Sequence, residues 1–130
     1  MKALFQAAWI FVTLNYLYCD VMGLMDPDLL KQFLSGTAGG IPLTQGFFLG
    51  AAVLMEIPMS MVFLSRALNY RAARWANIAA GAAMTAVQIG SLFMGSPPTP
   101  YYLFFSVVEA ATTALIVFFA IKWRPEHEAA

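Results

Sequence analysis

The sequence predicts an all-α fold, a four-helix transmembrane bundle with a short amphipathic helix on its outer side. Three observations predict it. The 130-residue chain is 61% apolar and 11% charged, with a mean hydropathy of +0.71, too apolar and too sparsely charged for an ordinary soluble domain. Its apolar residues fall into four runs, about 4–24, 44–68, 75–94 and 101–123, each close to or above the roughly 20 residues that a helix needs to cross a ~30 Å hydrocarbon core. None of these runs carries the charged stripe that a soluble bundle turns to water. Lipid offers backbone groups no hydrogen-bond partner, so runs of this kind become helices. The whole chain, 1–130, reads as one domain without an internal repeat or low-complexity segment.

The first run resembles a secretory signal peptide in length. However, Asn15, Tyr16, Tyr18 and Asp20 occupy its second half and no small-x-small cleavage site follows, so it reads as a retained span. In "DPDLLKQFLSG", Asp26 is an N-cap, Pro27 the first helical residue and Gly36 the terminator. Leu29, Leu30, Phe33 and Leu34 share one side, which predicts an interfacial helix over about 27–35. "GTAGG" reads as a flexible joint. The second run holds Gly46 and Gly50 in a GxxxG spacing, then Glu56 and Pro58 near its centre. The third is slender at "AAGAA", around Gly81. "SPPTP" is a stiff turn in which Thr99 caps the last helix, and "RPEHEAA" is a polar tail.

Short basic loops stay in the cytoplasm. Lys2, Arg66, Arg71, Arg74, Lys122 and Arg124 fall on one side and only Lys31 on the other, which predicts cytoplasmic N- and C-termini. Trp9, Trp75 and Trp123 would form an inner aromatic belt, and Tyr101 and Tyr102 an outer one.

Several chemistries are excluded. A single cysteine, Cys19, makes no intrachain disulfide or CxxC pair, and a single histidine, His127, supports neither a bis-histidine haem nor a histidine-rich metal site. No phosphate-binding glycine loop, GxSxG elbow or HExxH occurs, and no cofactor or metal is expected. A net charge of zero gives no electrostatic case for nucleic acid.

The polar residues inside the runs fall into stripes: Thr13, Tyr16, Asp20 and Gly23 on the first helix; Asn77, Gly81, Thr85 and Gln88 on the third; Ser106, Glu109, Thr112 and Thr113 on the fourth. At ~1.5 Å per residue from the outer ends, Asp20 lies about 6 Å deep, Gln88 about 9 Å, Glu109 about 12 Å, Asn15 about 14 Å and Glu56 about 18 Å. Taken singly, Gln88, Asn15 and the threonines read as interhelical hydrogen-bond glue rather than as ligand contacts. Asp20 reads equally well as interfacial. Glu56 and Glu109 differ, because the basic residues of their runs, Arg66 and Lys122, lie at the helix ends, ten and thirteen positions away. A carboxyl so placed keeps its proton, shares one with a second carboxyl, or meets water or a cation; each case makes the pair responsive to protons or cations. The predicted ligand- or proton-binding set is Glu56, Glu109, Asp20, Asn15, Gln88, Tyr16 and Thr113, with Gly46, Gly50 and Gly81 at helix contacts.

The stretches "WIFVTLNYLYCDVMGLMDP", "GGIPLTQGFFLGAAVLMEIPMSMVFLSR", "RWANIAAG" and "YYLFFSVVEAATTALIVFFAIKW" resemble a bacterial family of small four-helix membrane proteins known only as a domain of unknown function. The resemblance covers almost the whole chain. It implies an integral membrane protein of the bacterial inner membrane and supplies no site residues. In size and helix count the chain is also loosely similar to DoxX-like proteins and to small multidrug-resistance transporters, although the latter carry their functional glutamate in the first helix, where this chain has Asn15 and Asp20.

Three function classes follow. The first is a small, homo-oligomeric membrane protein that binds or conducts a proton, cation or small amphipathic ligand through an outward-facing polar pocket. The second is a membrane-embedded enzyme using carboxyl acid–base chemistry on a lipid-like substrate. The third is a structural or assembly subunit whose partners are the bilayer and other protein chains.

Overall fold

The computed structural model describes residues 1–94 and 97–124; part of the expected outer turn (95–96) and the tail with His127 (125–130) lie outside the described residues. The described chain is helical: α1 (Lys2–Met25), α2 (Pro27–Leu34), α3 (Gln45–Ala67), α4 (Tyr70–Ser91) and α5 (Pro100–Lys122), with a two-residue ribbon, β1 (Thr37–Ala38) and β2 (Ile41–Pro42), between α2 and α3.

Local chemistry sets the boundaries. The Asp26 side chain accepts from the Asp28 N–H at 3.1 Å and Pro27 opens α2, while the Thr44 and Asn69 side chains cap α3 and α4 from 3.1 and 2.9 Å. Thr99 stands at the N-cap position of α5, but its side chain makes no capping hydrogen bond among the described residues. The expected flexible joint is instead an antiparallel ribbon, with Thr37 opposite Pro42 and Ala38 opposite Ile41. Gly39 and Gly40 turn it at φ 60° and 84°, the left-handed conformation that a tight two-residue hairpin demands. Gln32 ties the turn to α2 by accepting the Gly39 N–H at 2.6 Å.

α1, α3 and α5 have 24, 23 and 23 residues and stretches of mean hydropathy 1.3, 2.0 and 2.1, long and apolar enough to cross a membrane. The expected fourth span, α4, does not reach that apolarity. It begins at Tyr70 rather than 75, which brings in Arg71 and Arg74, and it carries Asn77, Thr85 and Gln88 further on. Those polar residues are turned inward: Asn77 and Gln88 are buried, and from Trp75 to Gly90 the exposed positions are all Trp, Ala, Val, Ile or Gly.

The core draws Phe5, Trp9, Val12 and Tyr16 from α1, Met61 from α3, Ala73, Ala80 and Met84 from α4, and Ile116, Ala120 and Trp123 from α5 and its end. Trp9 and Trp123 are 0% and 1% exposed, so neither belongs to an aromatic belt; Trp75 alone of the three faces outward. The Trp123 ring lies 5.2 Å from Phe5 and 4.9 Å from Tyr70, whose hydroxyl donates to the Trp123 carbonyl. Arg74 donates to the carbonyls of Ala120 (3.0 Å) and Ile121 (2.8 Å) in the last turn of α5, the Ala120 carbonyl also accepting the Trp123 N–H at 3.3 Å.

The glycines divide. A Cβ on Gly81 would lie 2.7 Å from Val117 Cγ2 and 3.1 Å from the Thr113 carbonyl, so α4 and α5 meet there at backbone distance. Gly46 and Gly50 are exposed: a Cβ on Gly50 would meet nothing within 4 Å, and one on Gly46 only the Thr44 hydroxyl of its own cap. Their expected helix contact is therefore not one made within the described chain.

Candidate functional site

On α5, Tyr102, Ser106, Glu109 and Thr113 follow one another at spacings of four, three and four and so share a face. α4 answers three of them. Ser91 and Tyr102 join hydroxyls at 2.7 Å, Gln88 donates to Ser106 at 2.7 Å, and the Thr85 and Thr113 hydroxyls meet at 2.7 Å. The result is a polar ladder along the α4–α5 seam. With Gln88 donating to it, the Ser106 hydroxyl keeps its own hydrogen for a further acceptor. Nearer the other end of the bundle a separate knot ties three helices: Trp9 Nε1 donates to Asn77 Oδ1 at 2.7 Å, Ser65 donates to the same oxygen at 3.4 Å, and Asn77 Nδ2 donates to the Ala73 carbonyl at 2.8 Å.

Glu109 is the rung that α4 does not answer. It is 2% exposed, and its Oε1 has no hydrogen-bond partner among the described residues. Its carboxyl lies within electrostatic reach of Tyr16, Cys19 and Asp20 on α1. α1 turns Phe5, Trp9, Val12, Tyr16, Cys19 and Gly23 toward the core, a spacing of threes and fours. Tyr16 Oη and, one turn before it, Thr13 Oγ1 are likewise buried without a partner among the described residues. A polar atom left this way is unfavourable by about 1–3 kcal/mol, so two helices contribute such atoms to the region that Glu109 and Tyr16 share.

The ladder begins at the end of the bundle that carries α2 and the ribbon. A cleft of about 350 Å³ lies between α2, the ribbon and the facing ends of α4 and α5, with Asp26, Gln32, Ser91, Tyr101 and Tyr102 in its wall. Tyr101 donates to Asp26 Oδ2 at 3.2 Å. Ser91 and Tyr102 belong both to the cleft and to the first rung.

Of the residues expected to form a site, Tyr16, Gln88, Glu109 and Thr113 are buried along these faces. Asp20 is exposed on α1 but stays within electrostatic reach of Glu109. Asn15 is half-buried and spends its amide on the Phe11 carbonyl of its own helix, away from the core-facing stripe. Glu56 is exposed, while the buried residues of α3 are Pro58, Met61 and Ser65. Of the alternatives the sequence leaves open, a proton shared directly between Glu56 and Glu109 is not supported within the chain, since Glu56 is exposed and Glu109 buried. Sequence reasoning missed Cys19, whose place three residues after Tyr16 put it on the core face, and the Ser91–Tyr102 rung. No group of three or more His, Cys, Asp or Glu able to hold a metal occurs among the described residues.

A family described as "Family of unknown function (DUF6326)" matches residues 1–130. No curated protein and no solved structure matches the chain.

Proposed function

We propose that this chain, which belongs to that family of unknown function, is a small integral membrane protein that binds or conducts a proton, a cation or a small amphipathic ligand at Glu109, reached from the outer side. The observation that carries this reading is the Glu109 carboxyl itself, 2% exposed with Oε1 unpartnered among the described residues, beside a ladder whose first rung opens into a cleft. Polar groups that only knit helices have their hydrogen bonds filled from within, as Asn77 does with Trp9, Ser65 and Ala73. Glu109 does not, and an ionisable group inside a membrane span marks a pathway or site by default.

In this reading α4 is the fourth span. Its 22 residues extend about 33 Å, and its apolar exposed face suits lipid while its polar residues are turned inward. Both termini are cytoplasmic, supported by the basic residues at Lys2, Arg66, Arg71, Lys122 and Arg124 against Lys31 alone at the other end. The cleft then faces outward. The ligand exchanges hydroxyl and amide partners along Tyr102, Gln88 and Ser106 before meeting Glu109, with Tyr16 as the second polar group there. Glu109 lies nine residues into α5, about 14 Å from the outer end, too deep to reach headgroups.

Two measurements on purified protein test the reading. In liposomes loaded with a pH-sensitive dye, an external acid pulse reports proton conduction. In weakly buffered detergent, titration with tetraphenylphosphonium reports binding through proton exchange. A wild-type response in either, lost in a folded Glu109→Gln variant, supports the proposal. Equal responses from the two proteins, or none from wild type in both, overturn it.

A further inference from the structure

α3 is the least enclosed of the three strongly apolar helices: 11% of its most apolar stretch is buried, against 28% in α1 and in α5. Every residue from Gln45 to Val53 is exposed, and beyond them the exposed positions narrow to Glu56, Met59 and Phe63 before the last two residues of the helix. Gln45, Leu49, Ala52, Glu56, Met59 and Phe63 are all exposed and follow one another at spacings of four, three, four, three and four. That is the heptad seam by which two parallel helices interlock. At about 100° per residue these six stay within a face roughly 80° wide, opposite Pro58, Met61 and Ser65, through which α3 joins its own core.

Glu56 is the middle residue of α3, eleven from either end, or about 17 Å from each side of the span. A glutamate side chain cannot cover that distance to water, and a polar group facing hydrocarbon at such depth is strongly unfavourable. The seam therefore needs a cover that offers Glu56 a polar partner at the same depth. A second copy does so by symmetry. Copies inserted in one orientation and related by a twofold axis along the membrane normal bring each residue of the seam against its counterpart. A carboxyl group in its acid form both donates and accepts, so two of them satisfy each other without any other residue.

We propose that the chain forms a parallel homodimer through α3, with the Gln45–Phe63 seam of one copy packed on that of the other and the two Glu56 carboxyls hydrogen-bonded at its centre. The proposal stands on α3 and on its crossing the membrane; it does not depend on the role of Glu109. Gly46 and Gly50 lie about 80° and 120° around the helix from Glu56, so they flank the seam or lie outside it.

The test is oxidative cross-linking in native membranes, in a Cys19→Ala background that removes the one native thiol. Single cysteines at Ala52, Met59 and Phe63 should link two copies of the chain, and cysteines at Gly50 and Ala51 should not. Strongest linking at Gly50 or Ala51, no linking anywhere, or products containing a different protein would each overturn the proposal. Glu56 is probed by energy transfer between labelled copies in liposomes. Glu56→Leu should weaken association about 5- to 30-fold, the range for one interhelical hydrogen bond in lipid, whereas Glu56→Gln, which also donates and accepts, should keep it within about threefold. Undiminished association in Glu56→Leu, or its loss in a folded Glu56→Gln protein, refutes the carboxyl pair.

Discussion

Replacing Gly81 with alanine adds one methyl group at the closest approach of α4 and α5. The added Cβ would sit 2.7 Å from Val117 Cγ2 and 3.1 Å from the Thr113 carbonyl. The comfortable separation between carbons is about 3.5–4.0 Å, so close to 1 Å must be found. Val117 yields poorly, because a β-branched side chain in a helix has one strongly preferred rotamer, and on the other side the obstacle is backbone. Overpacking of this kind costs about 1–3 kcal/mol, while Gly→Ala in a helix interior gains about 0.5–1 kcal/mol, leaving a net loss centred near ~1 kcal/mol and reaching about 2.5 kcal/mol. Reversible unfolding of Gly81→Ala in mixed micelles should show that loss. Val117→Ala removes the nearer atom, so the same substitution in that background should cost about 1 kcal/mol less, a coupling that a double-mutant cycle reads directly. A Gly81→Ala protein stabilised by the propensity gain alone, with no coupling to Val117, would refute the close approach of the two helices.

Asn77→Leu strips the acceptor from Trp9 Nε1 and Ser65 Oγ and should destabilise the protein by about 1–3 kcal/mol in the same unfolding assay. Arg74→Ala releases the Ala120 and Ile121 carbonyls; at this partly exposed site the loss should be about 1 kcal/mol, with faster amide exchange confined to the last turn of α5. For orientation, a cysteine at Asp28 in the Cys19→Ala background should react with an impermeant maleimide on intact cells, and one at Arg71 only after permeabilisation. The reverse pattern would invert the proposed topology.

The residues that face the core were legible on α4 and α5 because their polar side chains recur every three or four positions. The ladder follows from those stripes once the helices are adjacent. α3 gave no such guidance. It is apolar on all sides, so periodicity does not distinguish its core face from its exposed one, and the depth of Glu56 alone pointed it inward. The actual core face holds Pro58, Met61 and Ser65. The glycines show the same limit. Gly81, in the small-residue run 79–83, was expected at a helix contact and is at one, whereas Gly46–Gly50 has the spacing of a contact motif but no other helix of the chain opposite it; which helix stands opposite, here Val117 and Thr113 of α5, is a fact of tertiary pairing. The tryptophans were misplaced for a related reason. Trp9 enters the core because Asn77, sixty-eight residues later, accepts its indole N–H, and Arg74 reads as a loop charge until the end of α5 is seen against it.

The central claim, that Glu109 is a buried group approached from the outer side, is tested most directly by thiol accessibility along α5. Single cysteines at Tyr102, Ser106 and Glu109, and one at Asn77 on α4, are placed in the Cys19→Ala background and exposed to a small cationic, membrane-impermeant methanethiosulfonate outside sealed, right-side-out vesicles. The account predicts modification at all three α5 positions, slowing from Tyr102 through Ser106 to Glu109, and none at Asn77. An unreactive cysteine at position 109, or one modified only from the inside, would contradict it.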